Sequence, residues 1–320
     1  MRESAYALDD VEMRAHYCNA LIAAAEADAR VMVLDVDTSV SMGTVPFYKR
    51  FPGRAVDCGI MEAHAVGMAA GLSATGFVPF LQAFGVFASR RAYDQVFLSC
   101  AYQDLNVKLV GADAGVTAAI NGGTHMPLED MGIMRNIPGM TVLEPADGVS
   151  LRSLVDSMAK KYGNCYMRFG RKQMRKIYAA DESLEIGKAR RLREGNDAAV
   201  FACGIMVYEA LCAAETLSSE GIDIDVFDMY TVKPIDREAV AEAAQRCGAV
   251  VTAENHNIIG GLGSAVAEVL GEYCPAPLER IGVRDRFGEV GSQEYLMKKF
   301  GLTAADICAA VKRAVSRRRG

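Results

Sequence analysis

The chain reads as an α/β protein of two domains, each a mainly parallel sheet flanked by helices. Three observations predict this. Continuous apolar runs of strand length, such as VMVLDVD (31–37), LNVKLVGAD (105–113) and AVVTAEN (249–255), end in acidic or polar residues. That is the pattern of strands buried on both faces with a polar end. Segments with helical spacing fall between such runs, and the alternation builds parallel sheets covered by helices. The alternation lapses at a charged stretch near 179–194 that lacks an apolar period, and then it restarts.

Taken in order, residues 11–29 carry apolar positions at helical spacing, and 31–37 is the first strand. GIMEAHAVGMAAGLSATG (59–76) reads as a helix opened by a loop. FVPFLQAF (77–84) is a strand, ASRRAYDQVFLSCAYQ (88–103) a helix and 105–113 a strand. The Gly-rich AGVTAAINGGTHMPLED (114–130) reads as a long polar loop. TVLEPAD (141–147) ends a short strand, SLRSLVDSMAKKY (150–162) is a helix, and CYMRFGRK (165–172) is a strand running into basic residues. After the charged stretch, AAVFACG (198–204), IDIDVFDMY (222–230) and 249–255 read as strands. IMVYEALCAAETLSSEG (205–221) and REAVAEAAQRCG (237–248) read as helices. The expected division is residues 1–180, a linker at 181–193, and a smaller unit at 194–320.

The 320 residues are 51% hydrophobic, ample for two cores. A net charge of −5 argues against a nucleic-acid-binding surface. Nine dispersed cysteines without a CxxC or Cys–His spacing read as reduced thiols, with neither a disulfide frame nor a zinc site. The acidic N-terminal segment lacks the apolar centre of a signal peptide. No apolar run reaches the ~20 residues that span a bilayer. A soluble, cytoplasmic protein is expected, and the C-terminal SRRRG reads as a solvated tail.

The motifs carry the chemistry. Taken alone, Glu62 in GIMEAHAVGMAAG is an acid at a helix start, where a carboxylate favours the dipole. Phe84 and Phe87, three apart in QAFGVFASRRAYDQV, read as core packing, and His125 in NGGTHMPLED as a turn residue. MRFGRKQMRK (167–176) reads as a solvated basic surface. Together with DMYTVKPID (228–236) and AENHNIIGGLGS (253–264), however, these segments resemble the transketolase family over nearly the whole chain. The order resembles that family's pyrimidine-binding domain followed by its C-terminal domain.

The resemblance implies a thiamine-diphosphate enzyme that transfers a two-carbon glycolaldehyde unit from a ketose to an aldose. Glu62 is the matching catalytic glutamate, which touches N1′ of the aminopyrimidine and activates the cofactor, a task suited to a carboxyl of raised pKa in an apolar pocket. Phe84 and Phe87 match the pyrimidine pocket, for which a flat apolar face is needed. His125 matches a histidine that binds substrate hydroxyls and moves protons. Glycines 122 and 123 are expected to let the backbone approach a ligand. Arg171 matches the arginine that binds a terminal phosphate, where a guanidinium fork suits a tetrahedral oxyanion. Asp37, Thr38 and Ser41 match a segment near cofactor and substrate.

In the pyrimidine pocket, Arg90 stands where a third aromatic is often found. Three further departures from the family pattern gather near the substrate: Asn121 replaces an aspartate, Ala119-Ile120 replaces Gly-Glu, and Asp113 replaces a histidine. They point to an unusual acidic ketose, phosphate- or sulfonate-bearing, with its anionic end near Arg171. The family's GDG segment, which holds the diphosphate and Mg²⁺, has no counterpart here. A partner subunit carrying that site is therefore expected, in an α2β2 assembly. GGLG lacks the order of a nucleotide loop and is expected to serve packing and dimer contacts, with His256 structural. Two other thiamine enzymes share features with the chain: the beta chains of 2-oxo acid dehydrogenases share the domain order, and deoxyxylulose-phosphate synthase shares RAYDQ. A degenerate, non-catalytic half is the remaining alternative.

Overall fold

In the computed structural model, residues 6–318 are described. The chain runs through α1 (Met13–Ala27), β1 (Val31–Asp35), α2 (Val45–Arg50), β2 (Ala55–Asp57), α3 (Glu62–Ala74) and β3 (Val78–Phe84). It continues through α4 (Gly85–Ala88), α5 (Tyr93–Gln95), β4 (Lys108–Ala112), α6 (Asp130–Arg135), β5 (Thr141–Leu143), α7 (Gly148–Lys160) and β6 (Cys165–Phe169). The second half holds β7 (Arg190–Arg193), β8 (Ala198–Ala202), α8 (Met206–Ser219), β9 (Ile224–Asp228), β10 (Thr231–Lys233) and α9 (Arg237–Cys247). It closes with β11 (Val250–Asn257), α10 (Leu262–Tyr273), β12 (Leu278–Val283), α11 (Gln293–Phe300) and α12 (Ala304–Ser316).

Two sheets form, in the orders β10-β5-β6-β4-β3-β1-β2 and β12-β11-β8-β9-β7. Every residue of β1, β4 and β6 is buried, as their continuous apolar character requires of parallel strands covered on both faces. The pairings within β6-β4-β3-β1 are all parallel. Their C-terminal ends therefore share one edge of the sheet.

Helices follow where spacing and capping agree. In α7, Leu151, Leu154, Val155 and Met158 are buried on one face. Asp147 caps its start by accepting from Ser150 N at 2.8 Å, completing a capping box. The same carboxylate accepts from the backbone of Ile177 and Tyr178 at 2.8 and 2.9 Å, so one side chain ties the helix to the segment after β6.

Three features differ from the sequence expectation. The helix expected over 88–103 is broken into α4, a 3-10 turn at Arg90–Ala92, α5 and a π-helical turn at Val96–Ala101. Ser89 stops the first turn, with φ −103° and ψ −90°, and its hydroxyl donates to Gly85 O at 2.6 Å. The long loop is wound into 3-10 turns at Gly115–Asn121 and Gly123–His125, kinked at Ala119 with φ +47°. The charged stretch expected as a linker ends in a strand: β7 pairs antiparallel with β9 in the second sheet.

β10, from the second half, crosses back to pair antiparallel with β5 at the edge of the first sheet. Lys233 Nζ fastens it by donating to the carbonyls of Arg135 and Ile137 at 2.8 and 2.6 Å. Beside this, buried Arg168 on β6 forms ion pairs with Asp130 and Glu144 and donates to Asn255 O on β11 at 2.6 Å. His256, fully buried, accepts from Gly132 N at 3.3 Å. These contacts join the two sheets through hydrogen-bonded charges. At the other end of the chain, Arg317 pairs with Glu279, and Arg319 and Gly320 of the expected tail lie outside the described residues.

Candidate active site

Parallel α/β sheets present binding groups at the C-terminal ends of their strands. Here those ends deliver Asp37 and Thr38 after β1, Phe84 at the end of β3, Asp113 after β4 and Arg171 after β6. Asp113 adopts φ +61°, a left-handed conformation that Asp tolerates better than most residues. Its carboxylate is buried. Oδ1 accepts from Arg171 Nε at 2.7 Å, and Oδ2 accepts from Asn121 Nδ2 at 3.0 Å. Arg171 also donates through Nη1 to Ser41 O at 3.3 Å, and its guanidinium lies 4.9 Å from the Phe84 ring centroid. Four of the sequence-predicted residues, and the backbone of a fifth, thus converge on one spot.

Phe84, Phe87 and His125 form a triangle of edge-to-face rings, with centroids 6.1, 6.0 and 5.2 Å apart. The turn after β3 fits tightly beneath it. A Cβ on Gly85 would stand 2.8 Å from Pro127, so glycine there lets the His125 loop pack directly on the turn. Both phenylalanines pack against the core, as their spacing suggests, yet both rings are only partly buried.

Glu62 is the first residue of α3, yet it is no surface cap: it is 5% exposed. Its Oε1 accepts from Arg91 Nη1 at 2.6 Å, and the Arg91 guanidinium sits 3.8 Å from the Phe87 centroid. Arg91 therefore links the carboxylate to the ring triangle. Sequence reasoning assigned Arg91 no role, although the RAYDQ run that contains it was the available signal. Arg90, its neighbour, turns the other way. It pairs with Glu129 at 2.8 Å and donates to Thr124 O at 3.1 Å, pinning the His125 loop.

Asp37 and Thr38 lie to one side. Their backbone N–H groups donate to Asp57 and Asp35 at 2.9 and 3.1 Å. The Thr38 hydroxyl is buried without a partner among the described residues. Asp35, which also accepts from Tyr48 OH, has its carboxyl raised above the usual range by burial.

Glycines 122 and 123 do make a close approach, but to protein. A Cβ on Gly123 would fall 2.2 Å from Gly288 O, and one on Gly122 would fall 2.8 Å from the Val290 side chain. The second half of the chain thus clamps the His125 loop from behind, which sequence spacing alone does not reveal. Among the described residues no group of three or more His, Cys, Asp and Glu is placed to hold a metal. No helix of the described residues is long and apolar enough to cross a membrane.

Comparison with known proteins gives the same outline. Residues 9–176 match the family model for the transketolase pyrimidine binding domain, and residues 187–307 match that for the transketolase C-terminal domain. The chain is 50% identical to a 6-deoxy-6-sulfo-D-fructose transketolase subunit of Clostridium sp. (strain MSTE9), covering 97% of each chain. It is 39% identical to a putative transketolase C-terminal section of Methanocaldococcus jannaschii, covering 93% of this chain and 95% of that one. Among solved structures it is similar to a split gene transketolase described as an inactive beta4 tetramer, with a TM-score of 0.90 and 42% identity, covering 97% of this chain and 100% of that one.

Proposed function

The chain belongs to the transketolase family, and we propose that it acts as the C-terminal subunit of a split transketolase, moving a two-carbon ketol unit from an acidic ketose to an aldose. The observation that carries this reading is the continuous run from Glu62 through Arg91, Phe87, His125 and Phe84 to Arg171. A carboxylate and an anion-binding guanidinium stand at opposite ends of one half-open aromatic surface.

The residues present fit the pyrimidine half of thiamine diphosphate. Partly exposed phenylalanine rings offer a flat apolar wall, and a nearly buried carboxylate beside them suits a ring nitrogen. When bound, the cofactor supplies the carbon nucleophile for the ketose carbonyl. Glu62 would hold the proton at N1′, with Phe84 and Phe87 against the ring, and Arg91 would fix the carboxylate's orientation. Asp37 and Thr38, with the unpartnered Thr38 hydroxyl, would line the neighbouring end of the cofactor site. His125, in edge-to-face contact with both phenylalanines, would hydrogen-bond a substrate hydroxyl and pass a proton at the reacting carbon. Ser41 and Asn121 flank Arg171, which would take the ketose's anionic end; the likeness to the Clostridium relative, a 6-deoxy-6-sulfo-D-fructose transketolase subunit, supports an anionic substrate.

In this reading the diphosphate and Mg²⁺ are held by a partner subunit in an α2β2 assembly, in keeping with relatives described as a subunit and a C-terminal section. A domain division within 181–193, ahead of β7, and a cytoplasmic setting belong to the same proposal. The test is reconstitution. Alone, the chain is expected to bind thiamine diphosphate weakly in calorimetry and to show no ketol transfer. With a diphosphate-binding subunit, transfer should appear. Tight, Mg²⁺-dependent cofactor binding by this chain alone would overturn the split arrangement, and pyruvate decarboxylation without ketose cleavage would overturn the reaction.

A further inference from the structure

We propose that Asp113 sets the charge that Arg171 accepts, so that the site selects a ketose ending in a singly charged sulfonate over one ending in a doubly charged phosphate. This rests on the reading of Arg171 as the anion site, and it deepens that reading.

The geometry is that of a neutralised cation. Asp113 is 2% exposed, and both its oxygens are engaged, one by Arg171 and one by Asn121. The Nε edge of the guanidinium is consumed by this carboxylate, and Nη1 already donates to Ser41 O. The remaining N–H groups can still meet an oxyanion, but from a pair whose net charge is zero. Around it, Arg14 and Lys172 both pair with Glu12, at 2.5 and 3.1 Å, so their charge is largely spent on that acid. His125 meets Phe84 edge-to-face, with ring centroids 6.0 Å apart.

A tetrahedral monoanion, its single charge spread over three oxygens, needs donors more than net compensating charge, and its hydrogen bonds to a guanidinium are of the strong, charge-assisted kind. A phosphate monoester above its second pKa of ~6 carries one further charge. For that additional charge, attraction to Arg171 is opposed by repulsion from Asp113 at similar distance, while the loss of hydration grows. The second charge is therefore a net cost. Asn121 reinforces the arrangement by fixing the carboxylate with a neutral donor. Asp113 acts through Arg171 and is a positioning residue that determines specificity.

The experiment uses the chain reconstituted with its partner subunit, thiamine diphosphate and Mg²⁺. Three ketoses differing only at C6 (sulfonate, phosphate, hydroxyl) are compared by kcat/KM. The wild-type complex is expected to favour sulfonate over phosphate by roughly 10–100-fold at pH ~8, chiefly in KM. The ratio should narrow as pH falls through ~6, where phosphate becomes a monoanion. In Asp113→Asn the phosphate-to-sulfonate ratio should rise about tenfold or more, and its pH dependence should flatten. Equal use of both anions by the wild type from pH ~5.5 to ~8 would overturn the proposal, even if the variant fails to fold. An unchanged ratio in a folded Asp113→Asn complex would overturn it as well. A wild-type preference for the hydroxyl ketose over both anions is a different failure: it would remove the anion site itself, and this inference with it.

Discussion

At the scale of single residues, the site depends on side chains whose partners come from distant parts of the sequence. Glu62 is the clearest case: its position at the start of α3 is what a helix-favouring acid would occupy, and only its burial and its bond to Arg91 separate it from one. In the reconstituted complex, Glu62→Gln should lower ketol transfer by ~10²–10⁴-fold, the usual worth of a proton-transferring group, while assembly measured by light scattering stays intact. A variant that exchanges the cofactor's C2 proton at the wild-type rate would remove Glu62 from the chemistry. Ala119 is a second case. It holds φ +47° and ψ −115°, a region that only glycine occupies without steric cost. Ala119→Gly should therefore stabilise the chain by about 1 kcal/mol in urea denaturation, with relief of strain outweighing the added chain entropy. Glu62, Phe84, Phe87, His125 and Arg171 were legible because each sits in a motif whose neighbours match a family pattern. Arg91 was not assigned, because its role depends on a contact across 29 residues with Glu62.

At the scale of elements, strands were more legible than helices. Buried parallel strands announce themselves as apolar runs, and β1, β3, β4 and β6 fall where such runs lie. The stretch 88–103 misled because its apolar positions do follow a helical period. What breaks the helix is Ser89 bonding back to Gly85 and the need to send Arg90 and Arg91 to different partners, Glu129 and Glu62. β2 and β10 are only three residues long, too short to give a pattern above their surroundings. The cap of α7 supplies a prediction at this scale. Asp147 accepts from three backbone N–H groups, those of Ser150, Ile177 and Tyr178. Asp147→Ala removes a helix cap and strands two further donors, and should cost about 3 kcal/mol of stability by chemical denaturation. A loss no larger than that of an ordinary surface cap, about 1 kcal/mol, would mean that water replaces the Ile177 and Tyr178 bonds.

At the scale of the whole molecule, the two sheets are joined by buried charge, and that gives stability a dependence on pH. Burial, with Arg168 nearby, lowers the His256 pKa to about 4, against the pull of Asp130. Between about 6.5 and about 4 the unfolded chain takes a proton that folded His256 refuses, so its contribution to stability is lost as pH falls through that window. Glu254, raised to about 7 chiefly by burial, works in the opposite sense. Its contribution is lost as pH rises from about 4.5 to about 7, and the two slopes oppose each other where the windows overlap. His256→Gln removes one slope. The destabilisation it causes should shrink by about 2 kcal/mol between pH ~7 and pH ~5 in paired urea titrations, and a constant difference would show that His256 does not titrate with folding. None of this network is visible in sequence, since its members become neighbours only when the halves dock. The return of β10 to the first sheet has a further consequence, for the order in which the protein is made. As the nascent chain leaves the ribosome, β5 emerges and β6 can pair on one side of it, but the other side waits until Thr231–Lys233 has been synthesised. At roughly 5–20 residues per second that interval lasts on the order of several seconds, during which an unpaired strand edge is open to other growing chains. The first half is thus finished by the second, and a gene split between them would yield two pieces, one of them with an open edge.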